Sequence, residues 1–551
     1  MSGVAAEVGG ERRRTRVVAA RGVSVLAVLL VWLALVFPAQ PARLSVGAFL
    51  RIPAEGLLIV ALGLALPARA GRIMAAIVGL VLGLLAILKV LDLGFLSVLG
   101  RRFNPVSDWG YLRSGADVLR DSIGPDRAAA AIAGAVLLLV AVLVAVTASV
   151  LRLTRFTARH RASSAWAVTA VGVVWSMCAV LGVQVGGAPV ASTTASVFVH
   201  DQVDEVLAAD DPFANTPGQD LLTGLRGKDV IVAFVESYGR AAVQDSPFSP
   251  QVNAVLNAST HTLRADGFSS RSAFLTSPTL GGISWLAHST LQSGRWIDTQ
   301  QRYDQLVATD RLTLSGAFKR AGWRTVGDLP ANTEDWPEGT SFYHYDTIYD
   351  SRNVGYAGPS FSYASMPDQY VLSAFEQREL ATPNHAPVMA EIDLVSSHGP
   401  WAPLPHLVGW NEIGDGSVFD NMAAQGHSPD TIWGNPDQVK AAYAQSIQYS
   451  LSTLISFVHT FGDDNLVLIL VGDHQPATIV SGQGASRDVP ITIIARDPKV
   501  LDRISAWGWQ EGMLPSPQAP VWPMDRFRDR FLTAYGPQPA TQPPTASPSP
   551  R

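Results

Sequence analysis

Three short apolar runs in the second half of the chain lead into residues that can hold a metal ion. Asp229–Val235 runs into Glu236-Ser237, and Leu466–Val471 runs into Gly472-Asp473-His474. Pro387–Val395 is followed by Ser396-Ser397-His398-Gly399-Pro400-Trp401. Taken singly, an acid after a strand is commonly a helix cap or a turn former. Together, a Glu and an Asp carboxylate with a His imidazole make a mixed oxygen and nitrogen donor set suited to Mn²⁺ or Zn²⁺. An oxygen nucleophile as fourth ligand would complete the shell.

The stretch Phe274–His288 supplies the candidate. Gly281-Gly282 permits a tight backbone turn, and Ser284 then opens a helix reaching about Gln292. Free N–H groups and the positive dipole end at a helix N-terminus stabilise a developing anion. A bound ion would lower the pKa of the hydroxyl further. The competing reading is that Ser284 only caps its helix. His288 lies one helical turn on, so it either faces the same site or is a structural neighbour of it.

These residues need a scaffold that brings strand ends together. The apolar runs, with a further one at Pro490–Ile494, are rich in Val and Ile and suit strands buried on both faces. Helical stretches such as Asp437–His459 lie between them. This alternation predicts an α/β sandwich with a mostly parallel sheet, whose site sits beyond the carboxyl ends of the strands. The domain is expected over 228–535, after a small-residue and polar linker at 188–227 and before a Pro/Ser/Thr-rich disordered tail at 536–551.

The first part of the chain has another character. Of 551 residues, 48% are hydrophobic and only 16% charged, against about 25% charged in soluble domains. The excess lies before residue 190. Apolar runs at roughly Val23–Ala39, Ala48–Leu66, Ile73–Leu93, Ala128–Val150 and Ala165–Val185 predict a five-helix transmembrane domain over 1–187. A secretory signal peptide is the rival reading of the first run alone. Arg12, Arg13, Arg14, Arg16 and Arg21, then Arg69 and Arg72, then Arg152, Arg155, Arg159 and Arg161, fall on alternate sides of these spans. That pattern places the N-terminus in the cytoplasm and everything after about residue 188 outside. Arg51, Glu55, Lys89 and Asp92 near span ends either snorkel to the interface or meet a lipid headgroup. A net charge of -5 argues against a nucleic-acid partner. Cys178 is the single cysteine and sits in an apolar run, so the external domain has no internal disulfide.

The layout of spans followed by an external α/β domain, with Val-Glu-Ser, Gly-Gly-x-Ser, Ser-His-Gly-Pro-Trp and Gly-Asp-His in that order, resembles the lipoteichoic acid synthase branch of the sulfatase/alkaline-phosphatase superfamily. The resemblance implies that Glu236, Asp473 and His474 hold one divalent ion, Mn²⁺ in that branch, with Zn²⁺ or Mg²⁺ as alternatives. The family's nucleophile is a Thr and the fourth ligand. Ser284 matches it by spacing, and Thr279 and Ser277 are rivals. The family's substrate-contacting His corresponds to His398, and its phosphate-gripping Trp and Arg to Trp336 and Arg352. The Cys/Ser-x-Pro-x-Arg signature of formylglycine sulfatases does not occur.

The activity so implied is transfer of a phospho-alcohol headgroup, such as phosphoglycerol, from a phosphatidylglycerol-like lipid to a glycolipid, polymer or water acceptor through a phospho-Ser intermediate. Two other classes fit less of the pattern. One is a phosphoric or sulfuric ester hydrolase; the other is a non-catalytic membrane protein with a degenerate domain. Nothing in the sequence speaks to oligomeric state.

Overall fold

The computed structural model describes residues 18, 21–37, 49–99, 103–105, 108–181, 183–185, 188–189, 191–192 and 211–537. The tail from 538 and most of 188–210 lie outside the described residues. Contacts divide the chain into two units, one of Met1–Ser97, Arg101–Trp109 and Asp126–Gln202, the other of Val98–Gly100, Gly110–Pro125 and Val203–Arg551.

The first unit is helical: α1 (Arg21–Val36), α2 (Ala54–Ala65), α3 (Ala68–Val98), α5 (Pro125–Arg159) and α6 (Arg161–Leu181), with α4 (Trp109–Ile123) starting at its boundary. Among the described residues, α3, α5 and α6 are the three helices long and apolar enough to cross a membrane, while α1 and α2 are shorter apolar helices. The first two expected spans extend into 38–48, outside the described residues. Helix α3 carries Gly79 and Gly83 one turn apart, and Cβ atoms there would stand 2.9 Å from Thr147 Cα and 2.7 Å from Leu143 Cδ1 of α5. This is the small-residue seam that lets apolar helices approach where lipid offers no hydrophobic drive. Lys89 Nζ donates to the carbonyls of Ala34 and Leu35 at 3.0 and 3.1 Å, which satisfies groups at the end of α1.

The second unit is built on a nine-stranded sheet. Its strands are β1 (Asp229–Val235), β2 (Ser269–Thr276), β3 (Arg324–Leu329), β4 (Thr347–Asp350), β5 (Val388–Leu394), β6 (Leu466–Gly472), β7 (Asp488–Ala495), β8 (Gln510–Glu511) and β9 (Val521–Pro523). The order is β8-β2-β7-β6-β1-β5-β3-β4, with β9 added in parallel to β2. From β6 through β4 every pairing is parallel; β7 runs antiparallel to both β6 and β2. The sheet is therefore mixed, with the parallel part running from β6 out to the β4 edge.

Alternation along β1 sets the two cores. Ile231, Ala233 and Val235 face one layer with α7 (Ser249–Ala265) and α9 (Pro436–Phe461). Val230, Val232 and Phe234 face the other, with α8 (Ser284–Ser293) and the C-terminal helix. Helix α9 starts where Asn435 accepts from the Asp437 N–H and Pro436 fills the first position, and it stops at Gly462. Packing in the second core starts before Lys228: Leu221, Leu222 and Leu225, within the stretch expected to be linker, are buried there. Asp211 reaches the fully buried Arg528 through two 3.0 Å hydrogen bonds.

Candidate active site

The parallel register determines which residues meet. Gly472 of β6 pairs with Val235 of β1, and Val235 pairs with Leu394 of β5. One step further along each strand, Glu236 and Asp473 leave the sheet side by side. Gly472 is required at that point, because a Cβ there would lie 1.9 Å from the Tyr238 carbonyl oxygen. The turn after β1 is locked from several sides. The Ser237 N–H donates to Asp473 Oδ1 at 2.8 Å, the Ser237 hydroxyl to Glu236 Oε1 at 2.9 Å, and Tyr443 of α9 to the Ser237 carbonyl at 2.9 Å. Ser397 donates to the Glu236 carbonyl at 2.7 Å.

Ser284 is carried to this place by the turn after β2. The Gly281 N–H donates to the Gln475 carbonyl at 2.8 Å, and the Ser277 hydroxyl to the Asp473 carbonyl at 2.6 Å. Gly281 and Ile283 adopt left-handed backbone at φ 74° and 68°, a costly conformation for β-branched Ile. Helix α8 has Ile283 at its cap position with no capping side chain, and Ser284 is its first residue. The hydroxyl of Ser284 does not cap. It donates to Glu236 Oε2 at 2.9 Å and lies 3.2 Å from His474 Nε2. His474 Nε2 is in turn 3.3 Å from Glu236 Oε1 and 3.5 Å from Asp473 Oδ2.

This donor set fits a divalent ion. Ligands about 2.1 Å from one ion stand roughly 3.0–3.4 Å from each other, close to the spacing found here. Among the described residues, Asp473 Oδ2 is buried and has no hydrogen-bond partner, as a carboxylate oxygen reserved for an ion would be. Without an ion the charges rearrange. Burial, and then the Glu236 charge, push Asp473 up to about 7. Burial opposes charge on His474, yet the Asp473 and Glu236 carboxylates raise it to about 9. Burial would also raise Glu236, but the His474 and His398 charges hold it well below the usual carboxylate range.

The other expected residues separate into four groups. His398 is near enough for its charge to act on Glu236, and its ring lies flat on Tyr363, 3.5 Å between centroids at 14°. Its Nδ1 is 2.5 Å from the Gly399 carbonyl. Ser277 and Thr279 are buried behind the site, where Ser277 is bonded to Asp473 backbone and to the Thr279 N–H. Trp336 packs on Tyr343 and Tyr345, next to the cluster holding Ile283 and Leu286. Arg352 is not joined to the cluster. Its guanidinium binds Asp350, at 2.7 Å in the shortest contact, and Asp335 at 2.6 Å. Ser237 and Tyr363 were not singled out from sequence; the residue directly after a strand-end ligand was the available signal for Ser237.

Searches of the sequence find no matching family model and no matching curated protein. Solved structures do show likenesses. One is a protein in the alkaline phosphatase superfamily from Vibrio parahaemolyticus, at 16% identity and TM-score 0.31, covering 49% of this chain and 60% of that one. More particularly, the chain is similar to the lipoteichoic acid synthase LtaP from Listeria monocytogenes, at 14% identity and TM-score 0.32, covering 49% of this chain and 66% of that one. It is also similar to the Streptococcus pyogenes phosphoglycerol transferase GacH, solved with sn-glycerol-1-phosphate, at 12% identity and TM-score 0.35, covering 58% and 88%. What the site can do is read from its own geometry.

Proposed function

We propose that this chain is an extracytoplasmic, metal-dependent phosphotransferase that moves a phospho-alcohol headgroup from a membrane lipid to a cell-envelope acceptor through a covalent intermediate on Ser284. The observation that carries this reading is the Ser284 hydroxyl at the first position of α8, within 2.9 Å of Glu236 and 3.2 Å of His474. The membrane part has five spans in this reading, with the N-terminus inside. Such an anchor keeps the catalytic domain beside an insoluble donor.

When bound by Glu236, Asp473, His474 and Ser284, a divalent ion supplies charge neutralisation and a lowered hydroxyl pKa; Mn²⁺ is the ion proposed. Ser284 Oγ, its proton hydrogen-bonded to Glu236 Oε2 and lost to solvent, attacks phosphorus in line. The phosphorus–oxygen bond to diacylglycerol breaks, and the leaving oxygen takes a proton from His398. The free N–H groups at the start of α8 face the charge that builds on the phosphoryl oxygens. An acceptor hydroxyl then gives its proton to His398 and attacks phosphorus, and Ser284 is released. Trp336 and Arg352 are proposed to grip the headgroup. For Arg352 this requires the loop to exchange an Asp350 or Asp335 contact for phosphate, which its bidentate fork allows.

The test is full-length protein in lipid with Mn²⁺ and headgroup-labelled phosphatidylglycerol. Label should appear on the peptide containing Ser284 and vanish in Ser284→Ala. Adduct formation at an undiminished rate in that variant would refute the assignment.

A further inference from the structure

We propose that the α/β unit holds a second divalent cation, on His288, Glu391 and Asp393, beside the Glu236–Asp473–His474 set. Strand β5 carries Glu391 and Asp393 two residues apart, so both side chains lie on one face of the sheet. In the register they sit beside Val232 and Phe234 of β1. Helix α8 covers that face and brings in His288, one turn after Ser284, with its ring flat on Phe234 at 3.8 Å between centroids and 11°. His288 Nδ1 is 3.1 Å from Glu391 Oε1 and 3.5 Å from Asp393 Oδ1, and the ligand atoms of all three residues lie within 4.8 Å of one another.

Three features separate this cluster from an ordinary buried ion pair. First, its spacings are those of the Glu236 set, and both match atoms gathered roughly 3.0–3.4 Å apart around one ion. Second, the cluster is pinned from behind: Tyr345 donates its hydroxyl to Glu391 Oε2 at 2.9 Å, and the Gln292 side-chain amide donates to the same oxygen. Such outer bonds orient metal-binding carboxylates. Third, Asp393 Oδ1 is buried and, among the described residues, has the 3.5 Å approach of His288 but no hydrogen-bond partner, which an ion would correct. Two carboxylates against one imidazole also leave a negative excess.

Mixed nitrogen and carboxylate donors at this spacing select Mn²⁺ or Zn²⁺; Ca²⁺ asks for six to eight oxygens. The Asp473 charge acts on both His288 and Asp393, so the two sets are electrostatic neighbours. On the phosphotransfer reading, on which this role rests, His288, Glu391 and Asp393 would hold the second ion and it would add positive charge near the reacting phosphoryl group.

The test is metal content. Full-length protein in detergent is stripped with a chelator, loaded with Mn²⁺, freed of excess ion and analysed by elemental mass spectrometry. About two ions per chain are expected, falling to about one in Asp393→Asn and in Glu391→Gln, with melting profiles recorded to show that each variant is folded. His288→Gln is the third arm, needed if Glu391→Gln does not fold. One ion per chain in the wild type, unchanged in folded Asp393→Asn and lost in Glu236→Gln, overturns this inference and leaves the first site standing. No bound ion in the wild type overturns both.

Discussion

Asp473→Asn separates a metal centre from a structural polar cluster, because the two readings predict opposite signs for the metal-free protein. The ligand atoms of Glu236, Asp473 and His474 all lie within 4.8 Å of one another. Two unit negative charges at that distance repel by about 3.5 kcal/mol at an effective dielectric of 20. The imidazolium of His474 offsets part of this, but burial and the Glu236 charge still hold Asp473 above its ordinary value, so removing the Asp473 charge should stabilise the metal-free protein by about 1–2 kcal/mol. At about 2–4 °C per kcal/mol, the unfolding midpoint rises by several degrees. With metal the order reverses. An ion at 100 times its Kd stabilises the wild type by about 2.7 kcal/mol, and the variant loses the share belonging to this site. Calorimetry of the full chain with chelator and with Mn²⁺ should therefore show two crossing curves: the variant melts higher without metal, and its Mn²⁺-induced rise is smaller. A variant that melts lower without metal, or one whose rise matches that of the wild type, refutes the reasoning.

Further expectations concern proton transfer and the fold around the site. His398→Gln should lower headgroup transfer about 10²–10⁴-fold, the usual worth of a general acid–base, while leaving metal content unchanged; a loss of bound metal would make His398 a ligand instead. Asp211→Ala strips two hydrogen bonds from the fully buried Arg528 and should cost about 3 kcal/mol in denaturant unfolding, the lower end for breaking a buried pair, because Asp529 also contacts Arg528 at 2.6 Å. Burial opposes the Asp211 charge but Arg528 lowers its pKa below 3.8, so this stabilisation is present above pH 3.8 and disappears as pH falls through the lower folded value. Asp368 behaves in the opposite way: burial raises it from 3.8 to about 6, against the pull of Ser450 and Ser396. Its contribution is fully present below pH 3.8 and lost as pH rises through 6, so relative to Asp368→Asn the wild type should lose about 2.4 kcal/mol between pH 4 and pH 7, read from denaturation at the two pH values.

What was legible in the sequence follows from where the apolar signal is dense. Strands β1, β5, β6 and β7 are central and buried on both faces, so their Val/Ile runs are continuous and their polar ends stand out. Strand β2, Ser-Ser-Arg-Ser-Ala-Phe-Leu-Thr, has a polar first half and gave no such run, although it leads to Ser284. The antiparallel direction of β7 was not legible either, since a run of apolar residues carries no direction. The stretch 211–227 reads as linker because its buried residues, Leu221, Leu222 and Leu225, sit in short 3-10 turns with no period to detect. Glu391 and Asp393 were absorbed into an apolar run, although two acids at strand spacing in a buried strand are themselves a signal. For Arg352, position alone cannot tell a phosphate grip from a bond to acids of its own loop; the structure shows the bond.

The site also shows where local preference yields to geometry. Ser237 and Ile283, the residues next to Glu236 and Ser284, both have positive φ, 58° and 68°, at a cost of order 1–3 kcal/mol each. Neither is a residue that favours this conformation, and neither turn would hold it in isolation. Each is over-determined by its neighbours. Ser237 is held by Asp473 and Tyr443 through its N–H and carbonyl. The turn before Ser284 is tied by Gly281 to Gln475 and by Ser277 to Asp473. The same three-residue corner after β6, Asp473 to Gln475, therefore braces both strained turns and supplies two of the proposed ligands. Strain placed against those ligands, on both sides of one corner, is what a fold accepts when the relative position of Glu236, Ser284 and His474 matters more than the comfort of either turn.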